Sequence, residues 1–444
     1  MKTIKMSLVA AMAATVATTG ASANMLENII SNPQLDIEIR PRYEYVDVDK
    51  NNKDEANALT VRTAIGVKGG LFDVDGLNFQ LQGMSVDHFG WVNDYNGKTS
   101  GDPKYEVVAD PAQTRMTQAN ISYTYEGFTG ILGRKMVVLD NARFIGNVGW
   151  RQMPQTYDLV AAAYSWEGLN LLGAYVTRVN KVVESHLDTN SVLLHANYKF
   201  MPELDVTAYD YMISNLMDHI GIRATGTFDL SDMKLKYQAE YAYQKDPTMD
   251  DDEEPFGQKN IQDFVNDNDA DYFNIAADLL WNNFTIGAGY EYLGAADGSD
   301  NDKGLSFNTP LATLHAMNGW ADVFLAGTPQ QGLEDLSFKL AYNAGEYGKL
   351  MGVYHIFSSV DDFDKLNGGT SDDLGSEFDV AYNYKITKDL GLLLKGAWYS
   401  KGDEGAVAID QGKAAKGIGA TKNIGWNDVT KYWVQLDYKF HSEM

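Results

Sequence analysis

A stretch of twenty residues in the first half of the chain concentrates side chains that could act on a solute. It reads LDNARFIGNVGWRQMPQTYD, residues 139 to 158. Its candidate site residues are Asp140, Arg143, Trp150 and Arg151. Fixed charges raise or lower the local concentration of charged solutes, an effect that salt weakens. The stretch therefore predicts an electrostatic role at an opening through which a solute passes.

Catalytic chemistry has little support in the composition. The chain has no cysteine, which excludes thiol catalysis and disulfides. Its seven histidines show neither metal-ligand spacing nor a nucleophile motif beside them. We therefore predict no enzymatic activity, no cofactor and no metal site.

The elements that must position these residues are strands with period-two alternation. From Leu35, LDIEIRPRYEY places apolar residues at odd positions and charged residues at even positions, and MKLKYQAEYAY and YWVQLDYKF repeat the pattern. Such segments run 9 to 14 residues. Ordinary strands average about five or six residues, whereas about 9 to 11 tilted residues cross a bilayer. The alternation thus predicts membrane-length strands.

Eighteen such strands follow one another along the chain. They are predicted at 35–48, 57–70, 77–87, 114–126, 129–138, 155–166, 169–180, 190–200, 203–215, 218–229, 232–245, 271–281, 283–295, 336–344, 348–358, 376–386, 389–400 and 430–440. Short turns follow the even strands and long loops follow the odd ones, except after the ninth. Because backbone groups in hydrocarbon must pair internally, the sheet must close. The sequence predicts an all-β, transmembrane up-and-down antiparallel β-barrel with short periplasmic turns and long extracellular loops.

The charged face of these strands would line the lumen. Eighteen strands enclose an aqueous channel unless something fills it. The pore-lining candidates on this parity are Arg40, Arg42, Arg62, Lys234 and Lys236. They could attract anionic or carboxylated solutes. Glu38, Glu44 and Glu240 share the interior, so ion pairs that merely stiffen the wall are an equal alternative.

Two connecting segments are expected to pack near this lumen. Residues 139–154 form the third long loop, and their apolar centre predicts that they fold inward and narrow the channel. An external loop with solvated arginines is the alternative. Residues 309–327 are expected to form a short amphipathic helix, begun by Thr309 and Pro310 and ended by Gly327. It would lie in the barrel mouth or on other loops.

The chain begins with the pattern of a secretory signal peptide. Lys2 and Lys5 precede the apolar run SLVAAMAATVATTG, and Ala21-Ser22-Ala23 is a small-residue cleavage site. We predict a signal peptide at 1–23 and a barrel domain at 24–444. A net charge of −25 argues against nucleic-acid binding.

Longer stretches resemble a known family. GRKMVVLDNARFIGNVGWRQMPQTYD, IRPRYEYVDVDKNNKDEANALTVRTAIGVKGG and VVADPAQTRMTQANISY are similar to segments of the alginate-export-like (Opr-type) family of outer-membrane porins, in the same order. The sequence departs from that pattern at Met153-Pro154, where a polar pair is commoner. The resemblance implies an 18-stranded barrel with a solute-conducting lumen.

The predicted function is passive diffusion of small hydrophilic solutes across the bacterial outer membrane, with anionic or carboxylated solutes as the favoured class. The expected partners are outer-membrane lipid, lipopolysaccharide and the barrel-assembly machinery, which would recognise the final strand KYWVQLDYKF. Monomer and trimer are both open. An outer-membrane hydrolase, and a structural or adhesive surface barrel without transport, are the alternatives.

Overall fold

The computed structural model describes residues 29–49, 52–248, 269–295, 306–325, 327–403 and 427–443. The predicted signal peptide at 1–23 lies outside these ranges, as does most of the acidic stretch between residues 246 and 271. Within the described ranges, no helix has the length and apolar character needed to cross a membrane.

Eighteen antiparallel strands form one closed sheet. Each strand pairs with its neighbours in sequence, and the last strand pairs with the first. The strands are β1 Ile30–Val48, β2 Ala56–Leu71, β3 Leu77–Asp94, β4 Gln113–Tyr125, β5 Phe128–Lys135, β6 Thr156–Trp166, β7 Leu169–Asn180, β8 His186–Met201, β9 Leu204–Ile213, β10 Met217–Leu230, β11 Met233–Lys245, β12 Ala270–Trp281, β13 Phe284–Leu293, β14 Leu333–Asn343, β15 Lys349–Asp364, β16 Thr370–Lys385, β17 Leu390–Lys401 and β18 Val429–Glu443. The predicted up-and-down barrel and its strand number are confirmed.

Several strands continue beyond their predicted ends. The loop expected at 359–375 is only five residues long, 365–369, because β15 and β16 extend the hairpin on both sides. Residues 441–443 are not a free tail, since they pair in register with β1 residues Asp36, Leu35 and Gln34. Alternation of apolar and polar residues fades outside hydrocarbon, so the pattern marks the membrane-length portion of a strand better than its ends.

The short turns depend on backbone conformations that few residues adopt. Between β4 and β5, Glu126 and Gly127 have φ values of 45° and 82°. Two consecutive positive φ angles define a type I′ turn, whose twist matches that of paired strands. A Cβ at Gly127 would also collide with the Ser165 carbonyl oxygen, so glycine is required there.

The two faces of the wall have opposite character. On β14, Leu336, Phe338 and Leu340 are 39%, 48% and 56% exposed on the outer surface. The residues between them point inward, as predicted for β1, β11 and β18, where Arg42, Glu240 and Gln435 are buried. An apolar outer surface and a polar interior are the arrangement that hydrocarbon outside and water inside require.

The apolar core lies inside the barrel, where two connecting segments pack on the wall. Residues 136–155 link β5 to β6, and residues 306–332 belong to the connection between β13 and β14. Phe144 of the first segment contacts Tyr209, Tyr272 and Phe307 at ring-centroid distances of 5.0, 5.5 and 6.1 Å. Most of residues 142–157 are buried.

The amphipathic helix expected at 309–327 does not form. Its described residues contain one 3-10 turn, Leu314–Ala316, and Asn318 and Asp322 have positive φ angles of 52° and 60°. The backbone bonds to the neighbouring segment instead: Gly146 N–H donates to the Leu311 carbonyl at 2.9 Å, and Thr313 N–H donates to the Ala142 carbonyl at 2.9 Å. Tertiary hydrogen bonds therefore replace the helical ones that capping residues and periodicity favour.

Candidate functional site

Three arginines on adjacent strands hold the backbone of the segment 136–155. Arg40 and Arg42 on β1 donate to the carbonyls of Gly149 at 3.0 Å and of Trp150, respectively. On β2, Arg62 donates to the Arg151 and Gln152 carbonyls, both at 3.5 Å. The alternation of the two strands places all three guanidiniums on the inner face, where they bind successive carbonyls of one segment.

Arg151 lies at the centre of a buried ion cluster. Its guanidinium is 3.1 Å from both Glu44 carboxylate oxygens, 3.6 Å from Asp110 and 3.3 Å from Asp322. Burial by itself would lower the pKa of Arg151, but these three carboxylates raise it above the ordinary arginine value. Removing one partner from such a cluster would leave a buried charge uncompensated. Arg151 thus joins the segment to the wall and to Asp322.

Arg143 forms a second buried ion pair, with Glu291 on β13. Its Nε lies 2.9 Å from the Glu291 carboxylate, and Nη2 donates to Asn318 Oδ1 at 3.3 Å. Burial would lower the pKa of Arg143, but Glu291, Tyr272 and Glu240 together outweigh it, so the pKa is raised. Asn318 in turn donates to Glu291 at 2.6 Å and to Asp335 at 3.2 Å. Both connecting segments therefore meet at Glu291.

Asp140 lies near the inner wall formed by β8, β9 and β10. One carboxylate oxygen is 3.6 Å from Arg223 and 3.5 Å from the Thr207 hydroxyl, which donates to it. His195 is 3.8 Å from the other oxygen. Asp140 thus adds a carboxylate to a wall that carries a guanidinium and an imidazole.

Two carboxylates on β16 hold the second segment. Backbone N–H groups of Trp320 and Ala321 donate to Asp379 at 3.1 Å and to Glu377 at 2.6 Å. Lys431 on β18 pairs with Asp322 at 2.9 Å. The segment is therefore bound through its backbone and through one buried aspartate.

His315, Trp150 and Lys395 form the contact between the two segments and β17. The imidazole stacks on the Trp150 indole at 4.4 Å with a 7° interplanar angle. Its Nδ1 is 2.6 Å from Asp322, and its Nε2 is 2.7 Å from Lys395 Nζ. The same ammonium lies 4.3 Å above the Trp150 ring and 3.7 Å from the Trp320 ring. These contacts combine cation–π attraction with hydrogen bonding at one lysine.

The structure brings most predicted site residues together but gives several of them a different role. Arg143 and Arg151 were expected at the narrowed opening, and Arg42 was expected either to line the pore or to form ion pairs in the wall. All three are buried in ion pairs. Burial of a guanidinium is favourable only with partners, so these groups fasten the segments. Lys234 lies apart from the segments at the start of β11, exposed and 2.9 Å from Asp229.

Open polar space remains inside the wall away from the buried segments. One cavity is lined by four basic side chains and two carboxylates: Lys199, Arg223, Lys236, Lys339, Asp205 and Asp278. Only Lys236 of this group was among the candidates. Lys339 pairs with Asp278 at 2.6 Å, and Arg223 lies 3.5 Å from Glu240. This cavity therefore carries more basic than acidic side chains.

Sequence reasoning missed Lys395 and Asp322, which complete the contact around Trp150. Lys395 is the single charged residue in LGLLLKGAW and points inward from its strand. A lone inward charge in an apolar strand could have marked it as a candidate. Asp322 had no comparable signal. Across the described ranges no three histidine, aspartate or glutamate side chains are arranged to hold a metal ion.

Comparisons with known proteins identify the fold. No protein-family model and no curated protein matches the sequence, so the alginate-export-like resemblance stays a prediction. Among solved structures, the chain is similar to Acinetobacter baumannii OccAB4 and OccAB2 at 13% and 15% identity, each with a TM-score of 0.66 and covering 94% of this chain and 100% of the other. Pseudomonas aeruginosa OccK9 (OpdG) is similar at 14% identity and a TM-score of 0.66, covering 94% and 100%. All three likenesses are below 25% identity and show the fold alone, a closed 18-stranded β-barrel.

Proposed function

We propose that the chain is an outer-membrane porin that passes small hydrophilic solutes by diffusion. The observation that carries this proposal is the closed 18-stranded wall, apolar outside and polar inside, with an open cavity, lined by more basic than acidic side chains, away from the packed segments. A barrel of this size encloses water unless it is plugged. Residues 136–155 narrow the lumen without being a separate plug domain.

Within this function, anionic and carboxylated solutes are the favoured class. The open cavity described above offers Lys199, Arg223, Lys236 and Lys339 against Asp205 and Asp278. A groove lined mainly by one sign of charge concentrates the opposite ion inside it. The buried arginines contribute less, because their charges are compensated by the carboxylates that they contact.

Single-channel recording in planar bilayers tests both parts of the proposal. Folded protein is expected to conduct, and the reversal potential in a salt gradient is expected to show anion preference that weakens as ionic strength rises. Lys236→Glu should shift the reversal potential toward cations, whereas Lys388→Glu, the same charge change in the turn between β16 and β17, should shift it less. Folded, inserted protein without conductance would refute the channel, and an unchanged Lys236→Glu reversal potential would refute the selectivity.

A further inference from the structure

The outer surface of β5, β6 and β7 carries a row of three small residues. Gly130 pairs directly with Ala162, and Ala162 with Gly173. Above this row stand Leu132, Val160 and Tyr175, and below it stand Phe128, Tyr164 and Leu171. Leu132 and Val160 are 54% and 53% exposed. Together these residues form an apolar groove on the outside of the barrel, here called the small-residue furrow.

The barrel itself does not require glycine in this furrow. A Cβ at Gly130 would come no closer than 3.6 Å to the Phe128 ring, and a Cβ at Gly173 no closer than 3.8 Å to Leu194. Neither glycine has a positive φ angle. The backbone would therefore accept larger side chains at both positions, and folding of the barrel does not explain why these residues are small.

A row of four charged residues crosses the same wall just above the furrow. The register places Arg134 opposite Asp158, Asp158 opposite Arg178, and Arg178 opposite Asp188. Arg134 donates to both Asp158 oxygens at 2.6 and 2.8 Å, and Arg178 donates to Asp188 at 2.6 Å. Arg134 shares the outward parity of Leu132, whereas its neighbour Lys135 lines a lumenal cavity.

The outward apolar run on β5 is shorter than the one on β11. On β5, the six-residue step from Phe128 to Arg134 rises about 15 Å along the barrel axis for a strand tilt of about 40°. On β11, the outward apolar residues run from Met233 to Tyr243, ten residues that rise about 25 Å by the same geometry. A hydrophobic band about 25 Å tall is typical of such barrels. If lipid covered β5, Arg134 and its partner Asp158 would lie in hydrocarbon, which is costly.

We infer that the outer wall of β5 to β8 is the contact face for a second copy of this chain. Small residues at membrane interfaces let two backbones approach closely, and the furrow supplies three of them in one row. The charged row holds two arginines and two aspartates, so the same surface on a second copy meets both signs of charge. A protein neighbour also removes the Arg134–Asp158 pair from lipid. This inference rests on the proposed outer-membrane location.

Cysteine cross-linking tests this face directly, because the chain has no cysteine of its own. Ala162→Cys places one thiol in the furrow, and Ala288→Cys places one at an exposed outward alanine of β13. In intact outer membranes, a short bismaleimide is expected to give a covalent dimer from Ala162→Cys and no comparable dimer from Ala288→Cys. Equal cross-linking of the two variants, or none from Ala162→Cys, would overturn the inference.

Filling the furrow provides a second test with a matched control. Gly173→Trp should shift the protein from oligomer to monomer in native mass spectra from lipid nanodiscs. Gly352→Trp, an outward glycine of β15 with its nearest contact at 3.7 Å, should leave the oligomer intact. A monomeric wild type, with or without a lipid retained in the furrow, would reject the second copy as occupant. Heat-modifiable migration and conductance of the same samples report separately on folding and on the proposed channel.

Discussion

At the scale of single residues, the interior is organised by arginines and carboxylates that satisfy one another. Arg151 contacts three carboxylates, and Arg143 contacts Glu291. His315 donates from Nδ1 to Asp322 and accepts from Lys395 at Nε2, so both ring nitrogens are used in the neutral form. Burial, together with the charges of Lys395 and Arg151, holds the pKa of His315 well below its usual range.

The protonation state of His315 gives a pH-dependent prediction. Since its folded pKa is depressed, it contributes stability above about pH 6.5, the ordinary histidine value, that is lost as the pH falls toward the folded pKa. Burial would raise the pKa of Asp322, but His315, Lys431 and Arg151 hold it well below its usual range, so its own contribution is lost only in stronger acid.

Limited proteolysis of the folded protein tests this prediction. A protease is expected to cleave the two connecting segments faster at about pH 5 than at about pH 7.5. His315→Gln should flatten this difference, whereas His186→Gln, at an exposed histidine, should leave it unchanged. A wild-type cleavage rate that is independent of pH would contradict the assignment.

At the scale of elements, two irregular segments behave as one unit docked on the wall. Gly146 lies in close contact with the other segment: a Cβ there would be 2.8 Å from the Thr313 backbone nitrogen. Val148 N–H also donates to the Thr313 hydroxyl at 3.0 Å. The hydrogen bonds between the segments explain why neither needs regular secondary structure of its own.

Separating the segments should widen the channel. Gly146→Val is expected to push Thr313 away, loosen the contact around Trp150 and raise single-channel conductance while the barrel stays folded. Gly352→Val introduces the same side chain on the open outer wall and should not change conductance. A folded Gly146→Val protein with wild-type conductance would show that the segments do not limit ion flow.

At the scale of the whole molecule, stability depends on which solvent each face meets. Leu340 and Ser337 lie on the same strand and point to opposite faces. Leu340→Arg places a charge in hydrocarbon and should cost about 2–4 kcal/mol near the bilayer midplane. Ser337→Arg places it in the polar interior and should cost less. Urea titration of folding into vesicles measures both, and equal costs would argue against the assigned faces.

The sequence by itself determined the number of strands, their order and the faces of the alternating residues in β1, β11 and β18. These features depend on local alternation and on the requirement that backbone groups pair in hydrocarbon. The burial of Phe144 and Ile145 was also readable from their apolar character, which is costly in water.

Only the tertiary structure decided what the charged side chains do. Arg42 and Lys236 are both basic residues that point inward from alternating strands. Arg42 is buried against Asp110 and Trp150, whereas Lys236 lines an open cavity. The difference comes from residues more than sixty positions away in sequence, and the helix expected at 309–327 was lost to similarly distant hydrogen bonds. Periodicity reports the direction of a side chain, whereas its partners depend on which distant segments the closed barrel brings beside it.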